Sequence, residues 1–163
     1  MKIQIVNAND ELIGVKERSE IDFQNDTYRV SALWLTNSKG EALLAKRAAI
    51  KRNDPNKWGP AVAGTIDEGE TYDENIYKEA DEEIGLTGVE FTKIKKTRIT
   101  YPRNYFCQWY SVTLDRDPNS FKLQDDEVAE VAWVDVEQMK QELQATPEKY
   151  VPAMQQIIEE LAI

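Results

Sequence analysis

Stretches in which apolar and polar residues alternate recur along most of the chain and indicate β-strands. Eight strands are predicted: Lys2–Val6, Leu12–Lys16, Arg29–Thr36, Ala42–Arg47, Ala61–Ile66, Phe91–Thr100, Tyr105–Leu114 and Val128–Val134. The turn Asn37–Gly40 separates the third from the fourth, which predicts a hairpin. The segment Ala49–Pro60 contains two prolines and is predicted to be a loop.

Apolar residues at helical spacing predict three helices among these strands. Thr71 and Glu74 form a capping-box pattern, so the first helix begins at Tyr72, and Gly85 is typical of the residue that ends a helix. The second covers Val136–Leu143. Thr146 followed by Pro147 predicts the start of a C-terminal helix. Strands interleaved with helices predict an α/β fold with a mixed sheet covered by helices.

Length and composition narrow the class of protein. The chain has 163 residues, which is typical of one domain, and its net charge of −10 disfavours binding to a nucleic-acid polymer. No apolar stretch has the length of a membrane span, and the single cysteine, Cys107, is predicted to pack in a strand. We therefore expect a cytoplasmic protein. The absence of histidine excludes His-based catalysis and His-liganded zinc.

The helix that begins at Tyr72 carries an unusual concentration of carboxylates. Glu79, Glu82 and Glu83 are spaced i, i+3, i+4 and share one face, and Glu83 also borders the apolar face. Such crowding occurs on solvated acidic helices, but here it destabilises the helix unless a cation compensates the charge. Three carboxylates on one face match the oxygen ligands that Mg²⁺ prefers.

The same stretch, GTIDEGETYDENIYKEADEEIGL, resembles the Nudix box, G-x5-E-x7-R-E-U-x-E-E-x-G-U, in which U is aliphatic. Gly64, Glu70, Glu79, Glu82, Glu83 and Gly85 occupy its fixed positions, and Lys78 stands where the box has arginine. The resemblance implies the Nudix fold, a mixed β-sheet sandwiched between α-helices. It covers one domain, with an N-terminal strand extension (1–26), a Nudix core (27–143) and a C-terminal helix (146–163).

Residues Val6–Ile21 and Asp54–Glu70 are similar to the isopentenyl-diphosphate-isomerase-like branch of this superfamily, which contains hydrolases and isomerases. The isomerases use metal-binding histidines and a cysteine near the box glycine. This chain has no histidine, and Cys107 lies in a later strand. The resemblance therefore favours a hydrolase over an isomerase.

The resemblance further implies Mg²⁺- or Mn²⁺-dependent hydrolysis of a nucleoside diphosphate linked to another group X. Glu79, Glu82, Glu83 and the Gly64 carbonyl are the expected metal ligands. Glu70 is expected to orient the box through Lys78, which otherwise only pairs with Glu74 or Glu82. The general base is a box glutamate or a residue of a later loop, where Glu127 is our candidate and a solvated turn is the alternative.

Candidate substrate-binding residues precede the box. Arg47, Arg52 and Lys57 are predicted to bind phosphate, with a plain surface charge as the alternative for Arg47. Trp58 either stacks on a base or packs in the core.

Two further functions remain open at this point. The first is a Nudix-fold module that binds a nucleotide without cleaving it, and the second is the isomerase. The expected partner is a small nucleoside diphosphate derivative, and family habit favours a homodimer.

Overall fold

The alternating stretches form nine strands of one mixed sheet in a computed structural model that describes residues 1–163. The strands are β1 (Lys2–Val6), β2 (Leu12–Glu17), β3 (Thr27–Thr36), β4 (Ala42–Arg47), β5 (Trp58–Pro60), β6 (Val62–Thr65), β7 (Thr92–Ile99), β8 (Asn104–Thr113) and β9 (Val128–Val134).

Strand β3 is the centre of the sheet because it pairs with β1, β6 and β8. Its pairing with β8 is parallel and runs from Thr27↔Asn104 to Thr36↔Thr113. The predicted hairpin is present at the turn, but β3 and β4 pair only at Thr36↔Ala42. Beyond that point β4 pairs with β5 and β9.

The helices are α1 (Tyr72–Ile84), α2 (Val136–Ala145) and α3 (Met154–Leu161). One apolar cluster joins Leu33 and Leu35 of β3 to the apolar side of α1. A second cluster joins Ala32 and Trp34 of β3 to α2 and α3. Alternate residues of β3 thus face opposite layers, which confirms the α/β sandwich. None of the three helices has the length and apolar character that crossing a membrane requires.

Two details of the predicted elements are wrong. The residues Trp58–Pro60 form β5 instead of loop, because they pair with Lys46, Ala45 and Leu44 of β4. The C-terminal helix begins at Met154 instead of Pro147, and Thr146 does not cap it. Thr146 donates its backbone N–H to the Glu142 carbonyl and so ends α2. Residues Pro147–Lys149 form only a 3₁₀ turn.

Candidate active site

A cleft of about 590 Å³ is bordered by β6 and α1 and is lined by most of the predicted site residues. Its lining includes the predicted Arg47, Gly64, Lys78, Glu79, Glu82, Glu83 and Glu127. The carboxylates of Glu79, Glu82 and Glu83, here called the carboxylate wall, line one side of it. Helix α1 therefore presents the three predicted carboxylates to the cleft, and strand β6 adds Gly64 to the same lining.

Helix α1 is held in place at both ends. Thr71 accepts a hydrogen bond from the Glu74 backbone, and Glu74 accepts one from the Thr71 backbone, as the capping-box pattern predicts. Gly85 ends the helix with φ = 66°, a left-handed conformation that glycine adopts without steric cost. A Cβ at this position would also lie 2.9 Å from Lys122 Cβ. The box helix is thus fixed by its own sequence.

Gly64 gives Glu79 the space that it occupies. A Cβ on Gly64 would lie 2.3 Å from Glu79 Cγ, so any other residue here would displace the Glu79 side chain. The Glu79 Oε1 atom accepts a hydrogen bond from Asn75 Nδ2 at 3.3 Å. Burial raises the pKa of Glu79 to about 7, against the opposing charge of Lys78 and with a further contribution from Glu82.

Glu83 is the most deeply buried member of the carboxylate wall, with 8 % of its surface exposed. Its polar contact is the Ala63 backbone N–H, which donates to Oε2 at 3.4 Å. Burial, and then the charges of Glu79 and Glu127, raise the pKa of Glu83 well above its usual range. A buried carboxylate without a cation is costly, so this position favours a bound cation.

The three carboxylates face one cleft without converging on one point. Glu79 turns to Asn75, Glu83 turns to the Ala63 N–H, and Glu82 is exposed. No group of three acidic side chains is gathered here as a ready-made metal site. The donor set still fits Mg²⁺ or Mn²⁺, because carboxylate oxygens are hard ligands and the buried Glu83 has no ion-pair partner.

Lys78 bridges the loop before α1 to the helix itself. Its ammonium group donates to Asp67 Oδ2 at 3.0 Å and also to Glu70 Oε1. Glu70 Oε2 in turn accepts from Asn75 Nδ2 at 2.9 Å. Lys78 therefore contacts Glu70 as the box pattern implies. The alternative pairing with Glu74 or Glu82 does not occur, although both lie one helical turn from Lys78. The ammonium group is drawn to Asp67 and Glu70 instead, and Glu74 is engaged with Thr71 in the capping box.

The N-terminal strand also holds this loop, a contact that the sequence did not reveal. Gln4 Nε2 donates to the carbonyl oxygens of Asp67 at 2.9 Å and Glu70 at 2.8 Å. Arg29 Nη1 donates to Gln4 Oε1 at 2.7 Å, and Arg29 Nε pairs with Asp10 at 2.7 Å. A lone glutamine in a short strand carries no pattern that predicts such a role.

Arg47 and Glu127 also line the cleft. The backbone of β4 and the Arg47 Nε donation to the Asn53 carbonyl at 3.0 Å fix the guanidinium group, and burial lowers its pKa. The Gln124 N–H donates to the Glu83 carbonyl at 3.0 Å, which draws the segment that carries Glu127 against the end of α1. The Glu127 carboxylate pairs with Lys51, a cation of the cleft that sequence reasoning missed.

Three predicted substrate-binding residues do not line the cleft: Arg52, Lys57 and Trp58. Arg52 is exposed on the loop between β4 and β5. Trp58 packs against the apolar cluster of α2 and α3, because its strand β5 lies beside β4 with that side chain turned to the core. The structure therefore places the Trp58 side chain in the core and outside the cleft.

Aromatic residues from another part of the chain occupy the cleft instead. Phe23, Tyr28 and Tyr105, here called the aromatic wall, line it together with Asp54 and Arg103. These residues come from three segments that are distant in sequence. Only Phe23, an aromatic residue within the polar stretch Asp22–Asp26, carried a pattern that could have indicated a binding surface.

Known proteins are similar to this chain over most of its length. A family model described as NUDIX domain matches residues 26–157. A prenyl-diphosphate phosphatase of Methanosarcina mazei is 28 % identical over 156 residues, which cover 94 % of this chain and 91 % of the relative. An isopentenyl-diphosphate Delta-isomerase of Klebsiella pneumoniae is 31 % identical over 130 residues, which cover 74 % of this chain and 68 % of the relative.

Two solved structures have the same fold. The crystal structure of DR0079 from Deinococcus radiodurans superposes with a TM-score of 0.87 at 21 % identity, covering 98 % of both chains. The NUDIX domain of Shewanella oneidensis NrtR, solved as a complex with ADP ribose, superposes with a TM-score of 0.65 at 14 % identity. It covers 90 % of this chain and 92 % of that chain.

Proposed function

Because this chain belongs to the NUDIX domain family, we propose that it hydrolyses the diphosphate linkage of a nucleoside diphosphate derivative with the help of Mg²⁺ or Mn²⁺. The observation that carries the proposal is the carboxylate wall. Glu83 is buried without a cationic partner, and its neighbour Glu79 has a raised pKa. A divalent cation would stabilise the charged form of both carboxylates, since it compensates charge that the protein leaves unpaired.

In this proposal Glu79, Glu82 and Glu83 hold the cation, together with the Gly64 carbonyl. When bound, the cation neutralises charge on the diphosphate and polarises its phosphorus–oxygen bonds. Lys78 keeps Glu70 and the preceding loop in place and so orients the helix. Arg47 supplies donors for a phosphate oxygen, because its guanidinium group lines the cleft and forms no ion pair.

The chemical step needs a water molecule and a base. The water oxygen forms a bond to one phosphorus atom, and the bond from that phosphorus to the bridging oxygen breaks. Glu127 takes the proton that the water loses, and the bridging oxygen leaves as part of a phosphate group. The products are a nucleoside monophosphate and a phosphorylated X. Glu127 lines the cleft and is our candidate base, with Lys51 as its partner.

A specific observation favours a second candidate substrate, a prenyl diphosphate. Part of the cleft is apolar, with Val30, Ala32, Cys107, Trp109, Val151, Ala153 and Ile157 in its lining. A relative that matches 94 % of this chain is named for activity on prenyl diphosphates. An isoprenoid chain would fit such a surface by burying its own apolar area.

The test is a substrate panel with Mg²⁺ that includes nucleoside diphosphate derivatives, a prenyl diphosphate and isopentenyl diphosphate. Released phosphate, nucleoside monophosphate and allylic isomer are measured separately. Glu83→Gln should lower hydrolysis at least about 100-fold, which is the upper end of the loss for residues that only support a metal ligand. Glu90→Gln, an exposed glutamate outside the cleft, is the matched control.

Each outcome separates the alternatives. Nucleoside monophosphate release that Glu83→Gln abolishes supports the proposal, and prenyl phosphate release alone supports the second candidate. Nucleotide binding without turnover would instead indicate a binding module. Isomer formation would overturn hydrolysis.

A further inference from the structure

The aromatic wall has a polar rim. Its rings contact one another, with centroids 6.0 Å apart for Phe23 and Tyr28 and 5.5 Å apart for Tyr28 and Tyr105. Tyr28 is buried, whereas Phe23 is partly exposed. Since all three line the cleft, Phe23 offers a flat apolar surface to whatever lies in this part of it.

The rim is an ion pair between two loops. Arg103, in the turn before β8, donates from Nη1 and Nη2 to the same oxygen of Asp54, Oδ2, at 3.2 and 2.5 Å. The other oxygen, Oδ1, takes no part in this pair. The Arg103 guanidinium carbon lies 5.9 Å from the centre of the Phe23 ring, so donor and acceptor groups border the aromatic surface.

The tyrosine hydroxyls add to this polar border. Burial is the leading cause that raises the pKa of Tyr28 to about 12, and it raises the pKa of Tyr105 as well. Both groups therefore remain protonated and can donate a hydrogen bond. Neither hydroxyl is engaged in a hydrogen bond within the chain.

We propose that this aromatic wall and the Asp54–Arg103 pair bind the base of the nucleoside diphosphate derivative, with the base stacked on Phe23. The inference rests on the proposed function and names the part of the site that recognises the nucleoside. A base matches this surface because it combines a flat face with an edge on which donors and acceptors lie side by side. Asp54 Oδ1 accepts from that edge and Arg103 donates to it.

An isoprenoid chain matches the same surface less well. It would cover the ion pair and the tyrosine hydroxyls without forming hydrogen bonds to them, and desolvated polar groups without partners are costly. If a chain of this kind binds, the apolar part of the cleft near Ala153 and Ile157 offers it a better surface. The two candidate substrates thus use different walls.

The experiment replaces Phe23 in the full-length protein. Phe23→Leu keeps apolar bulk and removes the flat face, whereas Phe23→Trp keeps a flat face. Tyr101→Leu is the control, because Tyr101 is 76 % exposed, lies near Arg103 in sequence and does not line the cleft. We expect Phe23→Leu to raise KM for a nucleoside diphosphate about 10-fold, within the range reported for loss of base stacking.

The pattern across substrates decides the outcome. The inference is supported if Phe23→Trp keeps the native KM for the nucleoside diphosphate and Tyr101→Leu does not change it. The KM for a prenyl diphosphate should also stay unchanged in Phe23→Leu. An unchanged KM for the nucleoside diphosphate, or an equal rise for both substrates, would overturn it. Asp54→Asn should change the relative kcat/KM values of diphosphates that carry different bases, and an unchanged ranking would remove Asp54 from the subsite.

A binding measurement separates this inference from the hydrolase proposal. If no nucleoside substrate is hydrolysed, binding of a fluorescent nucleoside monophosphate is measured for the native protein and for Phe23→Leu. Binding that Phe23→Leu weakens supports the base subsite, although hydrolysis has failed. No binding, or equal binding by both, overturns the subsite whatever the protein hydrolyses.

Discussion

The two sides of the cleft are built in opposite ways. The carboxylate wall comes from one continuous segment, in which helical spacing alone places Glu79, Glu82 and Glu83 on one face. The aromatic wall comes from residues far apart in the chain, which meet because β3 and β8 pair in parallel with Tyr28 opposite Tyr105. A site built within one helix is readable from sequence, whereas a site built across a sheet is not.

The two sides also differ in how their charges are compensated. Glu83 has no cationic partner, and Glu79 has Lys78 only at 3.8 Å. On the other side, Asp54 and Arg103 compensate each other directly. The carboxylate wall therefore needs a cation from outside the chain to compensate its charge. The Asp54–Arg103 pair is compensated within the chain before any ligand binds.

After Glu83→Gln, the largest change is expected at Lys78, which anchors the helix of the carboxylate wall. Lys78→Met keeps an unbranched side chain, one atom shorter, but removes the charge that Asp67 and Glu70 share. Loss of such a supporting contact lowers metal affinity or activity about 10–100-fold. Lys78→Arg should retain activity, because arginine donates to the same carboxylates.

A Mg²⁺ titration of the initial rate checks this prediction, with Lys39→Met, on an exposed turn, as the control. If Lys78→Met shows the native Mg²⁺ dependence, then Lys78 contributes only a surface charge.

A smaller effect is expected at Gln4, which tests whether the N-terminal strand belongs to the site. Gln4→Leu removes the side-chain donor to the carbonyl oxygens of Asp67 and Glu70, although the Asp67 oxygen keeps the Glu70 N–H. A buried polar group without its partner costs about 1–3 kcal/mol. Urea unfolding should show this loss, and the Mg²⁺ requirement should rise, whereas Gln24→Leu on the exposed surface should do neither. A native Mg²⁺ titration for Gln4→Leu would confine Gln4 to stability.

The smallest expected effect is a change of folding stability with pH, caused by the Glu79 carboxylate. The metal-free folded protein binds a proton at Glu79 with a pKa of about 7, above the usual value of 4.5. The folded state therefore holds more protons than the unfolded state between these values, and stability falls as the pH rises from 4.5 to 7. The carboxylate becomes fully charged above this window.

Thermal unfolding in a chelator, from pH 4.5 to 7, compares the native protein with Glu79→Gln. The native protein should lose more stability over this range than the variant, and added Mg²⁺ should reduce the difference. Parallel curves for the two proteins would show that Glu79 titrates normally.

Much of the fold could be predicted from sequence, because strands, helices and helix ends are indicated by residues that are close together in the chain. Alternation and helical spacing predicted strands and helices close to their observed positions, and Thr71 with Gly85 predicted both ends of α1. The failures occurred where a distant contact overrides a local pattern. Thr146 and Pro147 look like a helix start, but the chain here continues α2 into a 3₁₀ turn, and its next segment bonds to Trp58 of β5.

The sequence by itself determined the carboxylate wall, since residues three and four apart on a helix share a face whatever surrounds them. Tertiary structure decided the rest: that Glu83 is buried without a cation, that Gln4 holds the box loop, and that Phe23, not Trp58, lies in the cleft. These depend on which strands pair and in what register. Strand pairing joins residues far apart in the chain, so no short stretch of sequence contains it.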